Sequence, residues 1–394
     1  MAIKYIDDID VNGKKVFIRA DFNVPLDENQ NITNDNRITA TIPTIKYVLD
    51  NGGAVICASH LGRPKGKPVK EMSLKPIADR LGELLGVEVK FVNDCISDEA
   101  IEAGKALKPG EVLMLENLRF YDQETNNDAD FAARLGASAD VFISDAFAVS
   151  HRAHASVEAI TKVVPICAAG FLMKKEIQSF ENAMTNPKRP LAAVIGGAKV
   201  SGKLEVLENL IQKVDCIIVG GGMAFTFLKA MGKEIGNSLV EEDLIDTAKA
   251  VMKKAEEKGV KLLLPVDCVI AEEFKSGIPT QTVSADCIPC GWMGLDVGPE
   301  TIAIFKEAIK EAKTIVWNGP MGVFEMDEFC KGTYAISDCI CETDCMSIVG
   351  GGDSVSALKK SGNQDKVSFV STAGGAFMEL MEGKILPGIA ALDK

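Results

Sequence analysis

The sequence predicts an α/β protein made of two halves, each a parallel sheet flanked by helices. Three observations carry that expectation. Short β-branched apolar runs alternate with longer amphipathic stretches, the pattern of parallel strands joined by crossover helices. The runs are apolar at successive positions, as strands covered on both faces must be. Asn186-Pro187-Lys188-Arg189-Pro190 then breaks the chain near its middle, with two prolines among polar residues.

Taken in order, the first half is expected to hold strands at 16–20, 54–58, 112–115 and 141–144. The second half is expected to hold them at 191–195, 216–219, 261–265, 314–317, 346–349 and 367–370. Between them, 174–184, 204–214 and 241–258 read as amphipathic helices, the last stopped by Gly259.

Length and composition set the frame. The 394 residues suffice for two or three domains, and 47% hydrophobic with 25% charged residues fits neither a disordered nor a fibrous chain. Acids interrupt the first fifteen residues where a signal peptide needs an apolar core, and no run is long enough for a membrane span. The expectation is a cytoplasmic monomer with no membrane partner. A net charge of −13 also argues against nucleic-acid binding. The eleven cysteines are an odd, scattered set that suits reduced thiols, and Cys287-x-x-Cys290 lacks a matching pair or a nearby histidine for zinc.

Charge differs between the halves. Every arginine and histidine lies at or before Arg189; the remainder relies on lysine, and net charge falls from −4 to −9. The residues that follow each strand differ too. First-half strands lead into Asp21-Phe22-Asn23, Ser59-His60-Leu61-Gly62-Arg63, Glu116-Asn117-Leu118-Arg119 and Asp145-Ala146-Phe147. Second-half strands lead into Gly196-Gly197-Ala198-Lys199, Gly220-Gly221-Gly222, Asn318-Gly319-Pro320, Gly350-Gly351-Gly352-Asp353-Ser354 and Thr372-Ala373-Gly374-Gly375.

Ligands of open parallel sheets sit beyond the carboxyl ends of the strands. The first edge, with Arg37, His60, Arg63, Arg119 and Arg152, therefore reads as a site for a small polyanion. The second reads as a diphosphate site, because glycines admit close approach and helix starts offer N–H donors. Tight packing of strand against helix accounts for one such glycine pair, but poorly for four on one edge.

Gly197 to Leu204 nearly matches a Walker loop, but Leu204 replaces the hydroxyl residue that holds magnesium, so that likeness is set aside. A helix beginning near Lys199 would place Lys199 and Lys203 one turn apart at its positive end, a conflict that a bound phosphate removes. Asp353, just after a glycine-rich bend, reads either as a helix cap or as a ligand for a magnesium ion shared with nucleotide phosphates.

Five segments carry a resemblance: Arg19-Ala20-Asp21-Phe22-Asn23-Val24-Pro25, Ser59-His60-Leu61-Gly62-Arg63-Pro64, His151-Arg152-Ala153-His154, Gly220-Gly221-Gly222-Met223-Ala224-Phe225 and Gly319-Pro320-Met321-Gly322-Val323-Phe324-Glu325. They resemble the phosphoglycerate kinase family, in order, over essentially the whole chain. The resemblance implies reversible phosphoryl transfer between 1,3-bisphosphoglycerate and ADP, giving 3-phosphoglycerate and ATP with Mg2+. It also implies two Rossmann-like domains with an interdomain cleft that closes for in-line transfer.

Its domains would be a phosphoglycerate-binding domain over 1–172, a hinge helix over 173–186, a nucleotide-binding domain over 187–382, and a terminal segment over 383–394 that returns to the first. By the same resemblance Asp21, Asn23, Arg37, His60, Arg63, Arg119 and Arg152 hold the phosphoglycerate. Gly197, Ala198, Lys203, Gly221, Gly222, Gly294, Asn318, Pro320, Val323, Glu325, Gly351, Gly352, Asp353 and Ser354 hold the nucleotide, with Asp353 on magnesium. Arg37, Lys199, Lys203, Gly352, Gly374 and Gly375 are expected to neutralise the transferring group. Thr372-Ala373-Gly374-Gly375-Ala376-Phe377 departs from the family's usual Thr-Gly-Gly-Gly-Ala-Ser run, which puts phosphate contacts near Ala373 in question.

Overall fold

A computed structural model describes residues 3–393. The chain divides into two compact units, one running through Ile177 and resuming at Ile385, the other spanning Gln178–Lys384. The helix Phe171–Met184 carries the chain from one to the other. Its start belongs to the first unit because Phe171 packs edge-on against Tyr47, at 5.4 Å between ring centroids, and Ser150 Oγ lies 3.5 Å from Met173 Sδ. Its later part belongs to the second, where Phe180 meets Phe377 edge-on at 6.2 Å. After Lys384 the chain rejoins the first unit, and Gly388 N–H donates to the Ser150 carbonyl at 2.9 Å.

The first unit holds β1 (Lys15–Ala20), β2 (Ala54–Ala58), β3 (Val89–Val92), β4 (Val112–Leu115), β5 (Val141–Asp145) and β6 (Ile166–Ala169). They form one six-stranded sheet in the order β3-β4-β2-β1-β5-β6, and every pairing is parallel. Val16, Ile18, Val55, Cys57, Val112 and Met114 face one core layer, while Phe17, Ile56, Leu113 and Phe142 are buried among the alternating positions. That two-sided burial is what the continuous apolar runs required. The two strands not anticipated, β3 and β6, are the sheet's edges. Lys90 on β3 is exposed and breaks the apolar run there, while β6, Ile166-Cys167-Ala168-Ala169, is mostly buried but holds only one β-branched residue.

The second unit holds β7 (Leu191–Ile195), β8 (Cys216–Val219), β9 (Glu234–Ile235), β10 (Lys261–Leu263), β11 (Asp267–Ala271), β12 (Gln281–Ser284), β13 (Cys287–Ile288), β14 (Met293–Val297), β15 (Thr314–Asn318), β16 (Met346–Val349) and β17 (Phe369–Val370). A second six-stranded sheet has the order β10-β8-β7-β15-β16-β17, again wholly parallel. Ala193, Ile195, Ile217 and Val219 face one core layer, and Ala192, Val194 and Ile218 the other. A small antiparallel sheet, β12-β11-β14, and the pair β13-β9 were not anticipated. β9 and β13 have two residues each and β12 is largely exposed, while β11 and β14 carry the acids Asp267 and Asp296 within their runs.

Three sequence expectations need correction. The strand expected at 261–265 stops at Leu263, before Pro265, and the one at 367–370 shrinks to its last two residues. The helix starts at Leu204, as the run at 204–214 implied, and not near Lys199, with turns that include Gly202 before it. Lys199 and Lys203 therefore do not share a helical face.

In each sheet one strand pair marks the point where strand order reverses. In the first it is β1 and β5; in the second, β7 and β15. Connections leaving either side there splay apart, which opens a crevice at the carboxyl ends.

Candidate functional site

In the first unit the crevice lies between the segments that follow β1 and β5. Asp21 and Asn23 follow β1, His60 and Arg63 follow β2, Arg119 follows β4, and Arg152 lies beyond β5. Arg37 sits in the first turn of the helix Asn36–Asp50 and pairs with Asp21 through Nη1 and Oδ2. A turn at Gly62 ties three strand ends together. Its N–H donates to Asn23 Oδ1 at 2.9 Å, and its carbonyl accepts from Arg119 Nη1 at 3.0 Å. Arg63, Arg119 and Arg152 line one cavity of about 430 Å³ with Lys65 and Tyr121.

Electrostatically this is a desolvated group of cations. Burial, then Arg19 and Arg152, bring the Arg119 guanidinium down to about 10. Burial followed by Arg119, Arg19 and Arg152 lowers His154 to about 3. His60 is held well below its ordinary value by burial, with Arg19, Arg119 and Arg37 adding to it. Arg119 Nε and His154 Nδ1 are buried without a hydrogen-bond partner. Such orphaned groups are costly, and an anion brought among them relieves both the repulsion and the missing bonds. Sequence reasoning missed His154, Arg19 and Glu124 as members of this group. The first two stand inside quoted motifs, but burial of a charge leaves no mark on spacing or composition.

In the second unit the loops after β7 and β15 meet at the reversal. Gly196 N–H donates to the Asn318 carbonyl at 2.9 Å and Gly197 N–H to the Pro320 carbonyl at 3.2 Å. A cavity of about 470 Å³ lies against them. Of the residues expected to hold a nucleotide, Gly197, Ala198, Gly221, Gly222, Gly294, Pro320, Val323, Glu325 and Asp353 line it.

Two glycines shape this cavity. Gly221 has φ +69°, and a Cβ there would stand 2.6 Å from the Gly197 carbonyl oxygen. At Gly294 a Cβ would stand 2.1 Å from Phe225 Cζ, so only glycine leaves room for the tip of that ring against β14. Phe225, Leu239, Met293 and Phe274 give the cavity an apolar wall that motif reasoning did not anticipate. Their spacing is that of ordinary core or surface residues.

The remaining expected residues stand beside the cavity. Lys203 Nζ contacts Asn318 Oδ1 and lies 3.1 Å from Met378 Sδ. Burial brings its ammonium down to about 8, against the pull of Asp353 and Glu382. Asn318 and Ser354 face inward: Asn318 Nδ2 donates to the Gly350 carbonyl at 2.8 Å, and Ser354 Oγ accepts from Gly319 N–H at 2.6 Å. They clamp the loops after β15 and β16. Lys199 is exposed on a loop.

Two helix starts, at Gly352 and Gly374, lie side by side, since a Cβ on Gly374 would come 3.9 Å from Gly352 N. Their free N–H groups and dipoles converge on the same small space. Ala373 adopts φ −121°, so the missing glycine imposes no strain there, and Phe377 is buried in the core with its ring against Gly350.

Asp353 is exposed in the first turn of Gly352–Lys360. A magnesium ion needs only one or two carboxylates when phosphates supply the rest, so this single carboxylate suits an ion that arrives with a nucleotide. Among the described residues no cluster of three metal-binding side chains exists. All eleven cysteines are free thiols.

The model of the family described as phosphoglycerate kinase matches residues 6–384. The chain is 58% identical to a phosphoglycerate kinase of Geotalea daltonii over 396 residues, covering 100% of this chain and 99% of that protein. It is 59% identical to that of Geobacter metallireducens over 395 residues, with the same coverage. The solved phosphoglycerate kinase of Coxiella burnetii superposes with a TM-score of 0.94 at 43% identity, over 99% of this chain and 98% of that one.

Proposed function

The chain belongs to the phosphoglycerate kinase family, and from that membership we propose which residues perform the family's reaction. That reaction is reversible transfer of a phosphoryl group between 1,3-bisphosphoglycerate and ADP, giving 3-phosphoglycerate and ATP. We assign the phosphoglycerate to Asp21, Asn23, Arg37, His60, Arg63, Arg119 and Arg152, and the nucleotide to the cavity under Gly221, Gly294 and Glu325. The observation that carries this is the desolvated cation group around Arg119, which lacks acids enough to satisfy it and so calls for a small polyanion.

The chemistry asks little covalent work of the protein. In the direction of ATP synthesis a β-phosphate oxygen of ADP attacks the acyl phosphorus. That P–O bond forms as the bond to the carboxyl oxygen breaks, and no proton need move. Catalysis then comes from alignment and from neutralising the equatorial oxygens. Arg37 supplies charge from the acid side, partly released from Asp21 when the ligand arrives. Lys203 and the helix starts at Gly352 and Gly374 supply it from the nucleotide side. Lys199, on its loop, adds charge only when drawn in. Asp353 would hold the magnesium that neutralises the nucleotide phosphates.

The two sets of donors lie in separate units, so transfer requires the loaded units to close and exclude water. The free thiols suit a reducing cytoplasm. No helix among the described residues is long and apolar enough to cross a membrane.

A coupled assay with 3-phosphoglycerate and MgATP under reducing conditions tests the assignment. Turnover is expected, and Arg119→Ala should raise the KM for 3-phosphoglycerate while sparing that for ATP. An unchanged KM for the acid would overturn the assignment.

A further inference from the structure

The first unit buries a chain of polar groups that none of these roles uses. Arg19, on β1, is fully enclosed. Its Nε donates to Ser156 Oγ at 2.8 Å, its Nη1 donates to the Ala20 carbonyl, and its Nη2 lies 3.3 Å from His60 Nδ1. Ser156 Oγ in turn donates to Glu124 Oε1 at 2.6 Å, and Ser156 N–H donates to Glu124 Oε2 at 2.9 Å. Glu124 and Ser156 are fully buried as well. A guanidinium out of reach of water needs a counter-charge, and Glu124 provides it through one hydroxyl.

The consequence for His60 follows from counting donors. A guanidinium can only donate, so the ring nitrogen that faces it can only accept. The single proton of the neutral ring is then on Nε2. We propose that the chain Glu124–Ser156–Arg19 fixes His60 in the neutral Nε2–H tautomer, so that the bound acid meets a hydrogen-bond donor there. Glu124, Ser156 and Arg19 are positioning residues. The inference rests on reading His60 as a contact of the phosphoglycerate. The charges around the ring are Arg19, Arg119 and Arg37, with His154 beside them, and together with burial they oppose protonation at working pH.

Only three histidines occur in the chain, so nitrogen-15 imidazole spectra of the full-length protein can resolve each of them. In the unmodified protein His60 should show a bare Nδ1 and a protonated Nε2 from roughly pH 5.5 to 8. In Glu124→Gln and Ser156→Ala a second tautomer should emerge. The KM for 3-phosphoglycerate should rise about tenfold, the scale of one lost hydrogen bond, while kcat changes less.

A proton on Nδ1, or titration near the ordinary histidine value, would overturn the proposal in the unmodified protein, even if Glu124→Gln fails to fold. Folded Ser156→Ala with unchanged His60 signals and KM would overturn it too. If saturating 3-phosphoglycerate leaves the His60 signals unmoved, His60 is not a ligand contact; the donor role then falls while the tautomer stands.

Discussion

Lys203 is wedged between Asn318 and Met378, and that desolvation makes its charge sensitive to pH in a useful range. Because its value is lowered to about 8, the ammonium is complete below that pH and lost as pH rises through it. The kcat/KM for ADP should therefore fall between roughly pH 7 and 9, and Lys203→Met should remove that limb of the profile while lowering activity throughout. Arg37 has a different signature. Its charge is already partnered by Asp21 in the free protein, so its distinctive contribution belongs to the moment of transfer. Arg37→Ala should lower kcat by more than it raises the KM for 3-phosphoglycerate, on the order of a hundredfold or more in kcat. Steady-state kinetics on both substrates separates the two effects. The arginines were legible in the sequence because they stand just past apolar runs. Glu124 was not, since a carboxylate inside the polar run Asp122-Gln123-Glu124-Thr125-Asn126-Asn127 looks like solvent-facing charge until the fold encloses it.

At the scale of elements, the strands that position ligands were the readable ones. β1, β2, β4 and β5, and β7, β8, β15 and β16, are central and buried on both faces, so their continuous apolar runs stand out. The edge strand β3 and β12 are part-exposed, β6 has only one β-branched residue, and β11 and β14 are interrupted by Asp267 and Asp296, so none carries such a pattern. The helix start at Leu204 was legible as the start of the amphipathic run at 204–214, but the turns between Lys199 and it were not, because they owe their shape to tertiary contacts: Ser201 N–H donates to Glu241 Oε2 at 3.0 Å.

Two substitutions test the elements directly. Phe377 is buried in the core, with its ring packed on Gly350, so Phe377→Ala should destabilise by about 3–5 kcal/mol, read by urea denaturation of the second unit's transition. Gly294→Ala would drive the Phe225 ring off β14 and into the nucleotide cavity. The KM for ADP should rise several-fold with that for phosphoglycerate unchanged.

Across the whole molecule, the division of charge seen in the sequence becomes a division of labour. Every arginine before Arg189 and the run of glycine-lined strand ends after it belong to opposite sides of one boundary, and each sheet opens its crevice where strand order reverses. Losses should therefore be independent: Arg63→Ala should weaken 3-phosphoglycerate binding, and Gly221→Ala should weaken ADP binding, each read by calorimetric titration of the single ligand. The most direct test is a crystal structure with 3-phosphoglycerate and a non-transferable ATP analogue bound together. The acid should lie among Arg63, Arg119 and Arg152, with the nucleotide against Gly221, Gly294 and Glu325. Both ligands on the same unit would contradict it.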